Sequence, residues 1–231
     1  MSPLSLQFSG ISLLFCICLY TNVKSLEFAN VETVIVFRAS TPIFVAICDW
    51  YFRGEPLPSG RSWIALFSIL LGASVYVMTD EGFHVTAYFW VCGYLVSIIA
   101  EMVYTKYVVE ELPMSTWSRV YYNNVISIPP VLLLGLINGE FSGLLEEEWS
   151  APQVSAILLS CVVGVGISYA GFNLRALVNA TSFTVIGVLN KIFSVLINVL
   201  IWDHHANTSG ISALVVCILA GTFYQQSSKK R

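Results

Sequence analysis

The stretch SFTVIGVLNKIFSVLINVLIW, residues 182–202, is long and apolar enough to cross a bilayer, yet it carries Asn190 and Lys191 near its middle. An ammonium at mid-membrane costs about 2.5–3.5 kcal/mol on insertion scales, so it needs a partner or a task. Outside this stretch the pattern repeats. With 56% hydrophobic and 11% charged residues, the 231-residue chain has too little polar surface to enclose one soluble core. Apolar spans fall at roughly 5–23, 31–52, 62–79, 86–108, 116–138, 153–173, 182–202 and 210–227, joined by short loops. They predict an all-α polytopic membrane protein, a single transmembrane domain over residues 1–231. The first span has neither the positive start nor the small-residue cleavage site of a signal peptide and reads as a retained helix.

Charge sets the expected orientation. With both ends on one side, that side collects Arg53, Arg61, Lys106, Arg119, Arg175, Lys229, Lys230 and Arg231, against Lys24 alone on the other. The positive-inside rule then puts both termini in the cytosol. The sequon at Asn207 falls in a short lumenal loop and is expected to be unmodified. The terminal SSKKR reads as topology-setting charge, its lysines one position off a dilysine retrieval pattern.

Cysteines 16, 18, 48, 92, 161 and 217 all lie in apolar spans and read as small packing residues. His84, His204 and His205 have no cysteine or carboxylate at metal-ligand spacing, so neither a zinc site nor another cofactor is expected. The sequence has no phosphate-cradling glycine loop, nucleophile elbow or H-E-x-x-H, and an enzyme is not the expectation.

An offset of 149 residues pairs Asn30 with Asn179, Val36 with Val185, Ile43-Phe44 with Ile192-Phe193, Ile69-Leu70 with Ile218-Leu219 and Gly72 with Gly221. It aligns the second span with the seventh and the third with the eighth. These partners stand five spans apart, an odd number, so the repeats run in opposite directions through the membrane. Inverted repeats of this kind build secondary transporters with a midplane site between the halves. The first repeat, about 1–85, is incomplete beside the second, about 86–231; the offset implies a bundle of ten helices, of which eight are present.

Polar residues inside the spans mark the expected site. On a helix Phe183, Gly187, Lys191, Ser194 and Asn198 lie along one side, a stripe suited to a polar cavity. A structural Lys191 paired with Glu101 is the alternative. Arg38 sits four residues before the helix-disrupting Pro42, either as a second cation for a polyanion such as a diphosphate or in an ion pair with Glu32 or Asp49. In WSRVYYNNVIS, residues 117–127, asparagines supply a donor and an acceptor, as a base edge requires, and tyrosines supply stacking faces. Polar residues near a helix end also serve as glue between helices.

At these residues the chain resembles the Golgi nucleotide-sugar transporters of the drug/metabolite transporter superfamily, in their GDP-sugar branch. The family's GALNK signature stands here as GVLNK, Gly187 to Lys191, and its FYNN signature as YYNN, Tyr121 to Asn124, 66 residues earlier. The stretches ANVETVIVFRASTPIFVAI, ISYAGF and VLIWDHH are similar to plant-type GDP-mannose and GDP-fucose transporters. The resemblance implies an inverted-repeat bundle of ten helices with both ends cytosolic, exchanging cytosolic GDP-sugar for lumenal GMP across the Golgi membrane.

By the resemblance, Asn123, Asn124 and Ser168 would read guanine, Lys191 would hold the phosphates, and Gly187 and Asn190 would shape the sugar end. Tyr122, Arg38 and Phe183 join them on the reading of the residues alone, as a stacking face, a second cation and the aromatic end of the Lys191 stripe. Val188 replaces the signature's alanine, and Phe183 stands where fungal GDP-mannose transporters carry tyrosine, which leaves mannose and fucose both open. Expected partners are the GDP-sugar, GMP and membrane lipid, with a homodimer left open and no nucleic acid. Two alternatives stand beside this reading: a non-transporting paralogue that assembles with or regulates intact transporters, and a carrier of the same fold for another phosphorylated solute.

Overall fold

The computed structural model describes residues 3–29, 31–77, 85–139, 141, 149–201 and 208–224. They form eight helices: α1 (Pro3–Phe28), α2 (Val31–Arg53), α3 (Gly60–Val77), α4 (Val85–Glu111), α5 (Thr116–Ile137), α6 (Ala151–Leu177), α7 (Ala180–Ile201) and α8 (Thr208–Thr222). Asn30, Asn207, the three histidines and SSKKR lie outside the described residues. Each helix falls on one predicted span, α3 and α8 ending at residues 77 and 222. Four of them, α1, α4, α5 and α6, are long and apolar enough on their own to cross a bilayer. Among the rest, α2 is interrupted by Glu32, Arg38, Asp49 and Arg53, and the apolar run of α3 is confined to Gly60–Gly72.

Helix ends are fixed by local chemistry. Ser115 starts α5 by accepting the amide of Ser118 at 3.1 Å, and the Gln153 side chain accepts the amide of Ser150 at 2.8 Å ahead of α6. Only Val178 and Asn179 separate α6 from α7, because Asn179 Oδ1 takes the Ser182 amide at 2.7 Å and begins the next helix at once. At the other ends, Arg119 donates to the carbonyls of Val109 (2.9 Å) and Leu112 (3.1 Å), closing α4. Lys106 donates to the carbonyl of Arg175 at 2.7 Å, in the last turn of α6. Cations there satisfy orphan carbonyls and oppose the negative end of the helix dipole.

These contacts draw the basic residues at the helix ends into the bundle. Lys106 and Arg119 are buried, and Arg175 lies inside α6, which runs four residues beyond the predicted boundary at 173. Arg53 joins α2 to α4, bonded to Asp49 (2.9 Å) and in close contact with Glu110, which also takes Lys106 at 3.2 Å. The four cations gather where the C-terminal ends of α2, α4 and α6 meet the start of α5. A positive cluster at one end of a bundle needs this degree of pairing once its side chains leave water.

The largest core joins α2, α3, α7 and α8 around Ala39, Leu66, Ile69, Val185, Val188, Ile192, Cys217 and Ala220, with Ile43 and Ile218 packed against it. Both members of two offset pairs, Ile43 with Ile192 and Ile69 with Ile218, therefore share one core. Cys217 Sγ donates to the Ile69 carbonyl at 3.4 Å across the α3–α8 contact. All six cysteines are free thiols; Cys16 and Cys217 are buried, whereas Cys92 and Cys161 are exposed and do not pack.

On the other side α1 lies against α4 and α5, and this contact brings Phe15 toward the site. It depends on Gly10. A Cβ there would stand 2.7 Å from the Tyr104 hydroxyl and 2.9 Å from a ring carbon, closer than a rigid ring permits. Gly10→Ala is expected to destabilise the protein by about 1–3 kcal/mol through overpacking, read as a lower melting temperature in detergent. Adding Tyr104→Ala should make the Gly10 substitution much less costly; an additive double variant would show that the close approach is not what Gly10 provides.

Candidate functional site

Two turns into α5, Asn123 and Asn124 turn toward α6 and line a cavity of about 360 Å³. Across from them α6 presents Gly164, Ser168 and Gly171, spaced i, i+4 and i+7, a low wall whose glycines leave open space where a Cβ would project. Phe183 of α7, Phe15 of α1 and Glu101 of α4 close the remaining sides. Below the asparagines, the Ser127 hydroxyl donates back to the Asn123 carbonyl at 2.6 Å, and Pro129 and Pro130 remove two backbone donors from the next turn.

A second cavity of about 220 Å³ includes Arg38 and Tyr94 and shares Phe15, Glu101 and Arg175 with the first. Arg175 and Glu101 thus stand in the wall between them. Arg175 Nη2 lies 3.0 and 3.3 Å from the two Glu101 carboxylate oxygens, and Thr105 donates to the same carboxylate at 3.2 Å. The guanidinium also lies 4.5 Å from the Phe183 ring centroid and 5.8 Å from that of Phe172, within cation–π range of both. Two buried polar atoms on this lining have no hydrogen-bond partner, Asn123 Oδ1 and Arg175 Nε. Orphans of this kind are costly unless something occupies the space beside them.

Four of the residues expected from sequence, Asn123, Asn124, Ser168 and Phe183, meet in the first cavity, and Arg38 lines the second. Arg38 donates to the Tyr94 hydroxyl, while Asp49 is held by Arg53, so of the alternatives for Arg38 the pair with Asp49 is not made, and the Glu32 side chain lies outside the described residues. Glu101 likewise pairs with Arg175 and not with Lys191. Tyr122 is seated elsewhere: one position before Asn123 on the helix, its ring packs at 5.7 Å from Phe8 in the α1–α5 contact. Gly187, Asn190 and Lys191 follow Phe183 along α7; Asn190 and Lys191 are exposed and belong to the lining of neither cavity.

Sequence reading missed Arg175 and gave Glu101 only to Lys191. The usable signal was the Asn179 cap. A helix that starts at residue 180 leaves a connection of two residues, which forces the last turn of α6 against the first turns of α7 and puts Arg175 beside Phe183.

No protein-family model matches the chain. Among curated proteins, it is 43% identical over 96% of its length to GDP-fucose transporter 1 of Arabidopsis thaliana, covering 67% of that protein. The chain belongs to the GDP-sugar branch of the nucleotide-sugar transporters. It is also 40% identical over 97% of its length to the GDP-mannose transporter GONST3 of the same plant, covering 62% of it. A GDP-mannose transporter of Yarrowia lipolytica is 25% identical over 96% of the chain. The chain spans about two thirds of the length of the two plant relatives. The family is one of transporters and not of enzymes, and its all-α, polytopic membrane architecture is the one found here.

Gly187 tests how open the α7 face is. A Cβ added there would meet nothing within 4 Å. Gly187→Ala should keep or raise the melting temperature, since alanine is favoured over glycine inside a helix by about 0.5–1 kcal/mol. A fall of several degrees would mean that the space is filled in the folded protein.

Proposed function

We propose that the protein moves a GDP-sugar, GDP-mannose or GDP-fucose, into the Golgi lumen in exchange for GMP. The observation that carries this reading is the convergence of Asn123, Asn124, Ser168 and Phe183, from three helices, on one cavity with an unpartnered amide oxygen in its wall. Guanine offers adjacent N–H donors and a carbonyl acceptor along one edge. An asparagine oxygen short of a donor and an amide nitrogen beside it are the complement of that edge. Phe183 supplies an apolar face for the nucleoside.

Lys191 lies eight residues beyond Phe183 on α7, about 12 Å along the axis, with Gly187 midway. A nucleotide whose base rests among the asparagines would extend its phosphates along this stripe toward the lysine and its sugar past the bare Gly187. Alternating access follows from rocking of one half of the bundle against the other around the site. Both termini face the cytosol in this arrangement.

The test is uptake of labelled GDP-mannose and GDP-fucose into liposomes containing the protein. Uptake of one or both should depend on GMP preloaded inside, and UDP-galactose should not enter. Uptake that is indifferent to GMP, or that accepts the UDP-sugar equally, removes the antiporter reading. In the same assay Lys191→Ala should abolish exchange, because a phosphate that loses a charge-assisted partner loses about tenfold or more in affinity. Asn123→Ala should instead narrow the preference of GMP over UMP as counter-substrate, and an undiminished preference would take Asn123 out of base recognition.

A further inference from the structure

The Arg175–Glu101 pair raises a question that sugar and base recognition leave open. Glu101 is buried and Arg175 partly so, the pair joins α4 to α6, and it stands in the wall shared by both cavities. A buried ion pair is weak as a source of stability, since apolar residues of similar size in its place are often neutral or better. What it does well is respond to a third charge, because in a low-dielectric wall an arriving ion is felt strongly.

The geometry leaves Arg175 only partly engaged. Its hydrogen bonds to Glu101 come from Nη2, whereas Nε is buried and has no partner. A guanidinium carries five N–H donors in a rigid fork that matches a phosphate as well as it matches a carboxylate. Its Cζ also lies 4.5 Å from the ring centroid of Phe183, the residue that α7 contributes to the cavity. Glu101 has a second donor in Thr105 of its own helix, so it retains a hydrogen bond when Arg175 is withdrawn.

We propose that Arg175 and Glu101 form a charge latch worked by the phosphate of the nucleotide. In the empty cavity Glu101 neutralises Arg175 and ties α4 to α6. A phosphate anion reaching the wall shared by the two cavities takes over the guanidinium, Glu101 falls back on Thr105, and the tie between the helices is released. This rests on the nucleotide reading of the cavity and adds to it a reason for exchange. An empty carrier stays tied and a loaded one is freed to rock, so return without cargo is disfavoured. Arg175 is then a phosphate-binding group in addition to Lys191, and Glu101 is its positioning partner.

Equilibrium binding of GMP and of guanosine to the full chain in lipid nanodiscs tests the latch, with the ratio of the two dissociation constants as readout. Removing the competing carboxylate by Glu101→Gln should raise the preference for GMP over guanosine about tenfold, and Arg175→Gln should lower it by a similar factor. A structural pair shapes the pocket alike for both ligands and would leave the ratio where it is; an unchanged ratio in these variants overturns the latch. Because a lone buried charge can prevent folding, Glu101→Leu combined with Arg175→Met removes both charges together. That variant should keep its melting temperature and lose much of the GMP preference, and a double variant with the wild-type preference also overturns the proposal. Wild-type protein that is folded but binds neither ligand overturns the nucleotide reading and the latch with it. Wild-type preference for GMP that all three variants retain overturns the latch alone.

Discussion

A polar group inside this bundle has no water to return to, and that constraint organises most of what the described residues do. Backbone amides are satisfied by helices, and the helix ends and charged side chains must then find one another. Lys106 on the last turn of α6, Arg119 on the end of α4 and Arg53 between Asp49 and Glu110 are three solutions to the same problem. Each cation answers a carbonyl or carboxylate left over from a neighbouring helix. The helices are consequently tied at one end by charge and along their length by apolar cores.

Division of labour between the two kinds of contact places the site. The core around Ile69 and Ile192 holds α2, α3, α7 and α8 as one group, and the approach of α1 to α4 at Gly10 and Tyr104 forms another. Between these lies a region where α6 offers glycines and serine, too small to fill the gap, and α5 offers two asparagines. The cavity exists because those side chains are small or polar where the cores have leucine, isoleucine and valine. Its polarity is concentrated in a few atoms, of which Asn123 Oδ1 and Arg175 Nε remain unanswered by the protein. Their burial without a protein partner makes these two natural points of contact for a ligand.

Much of this was legible in the residues. Eight apolar runs gave eight helices, and the YYNN stretch pointed to α5, where Asn123 and Asn124 do converge with Ser168 and Phe183, whereas Gly187, Asn190 and Lys191 of GVLNK line neither cavity. Tyr122 was misdirected because adjacent positions on a helix differ by about 100° in direction, so a motif of four residues cannot face one cavity throughout. Arg175 was passed over because a basic residue near a helix end reads as topology charge wherever its side chain finally goes. Glu101 was assigned to the wrong cation for a related reason: its two candidate partners lie 74 and 90 residues away, and sequence distance does not rank them.

The sequence by itself determined the class of solvent and the helical segments, since both depend on hydrophobicity and periodicity over a window of about 20 residues. Tertiary structure alone decided which charges pair, which face of α5 meets α6 and that Arg175 stands in the wall of the cavity. Those outcomes depend on how helices distant in the chain come to lie beside one another, and that arrangement is set by close contacts such as Gly10 against Tyr104 and by the two-residue turn at Asn179, which no count of apolar residues records.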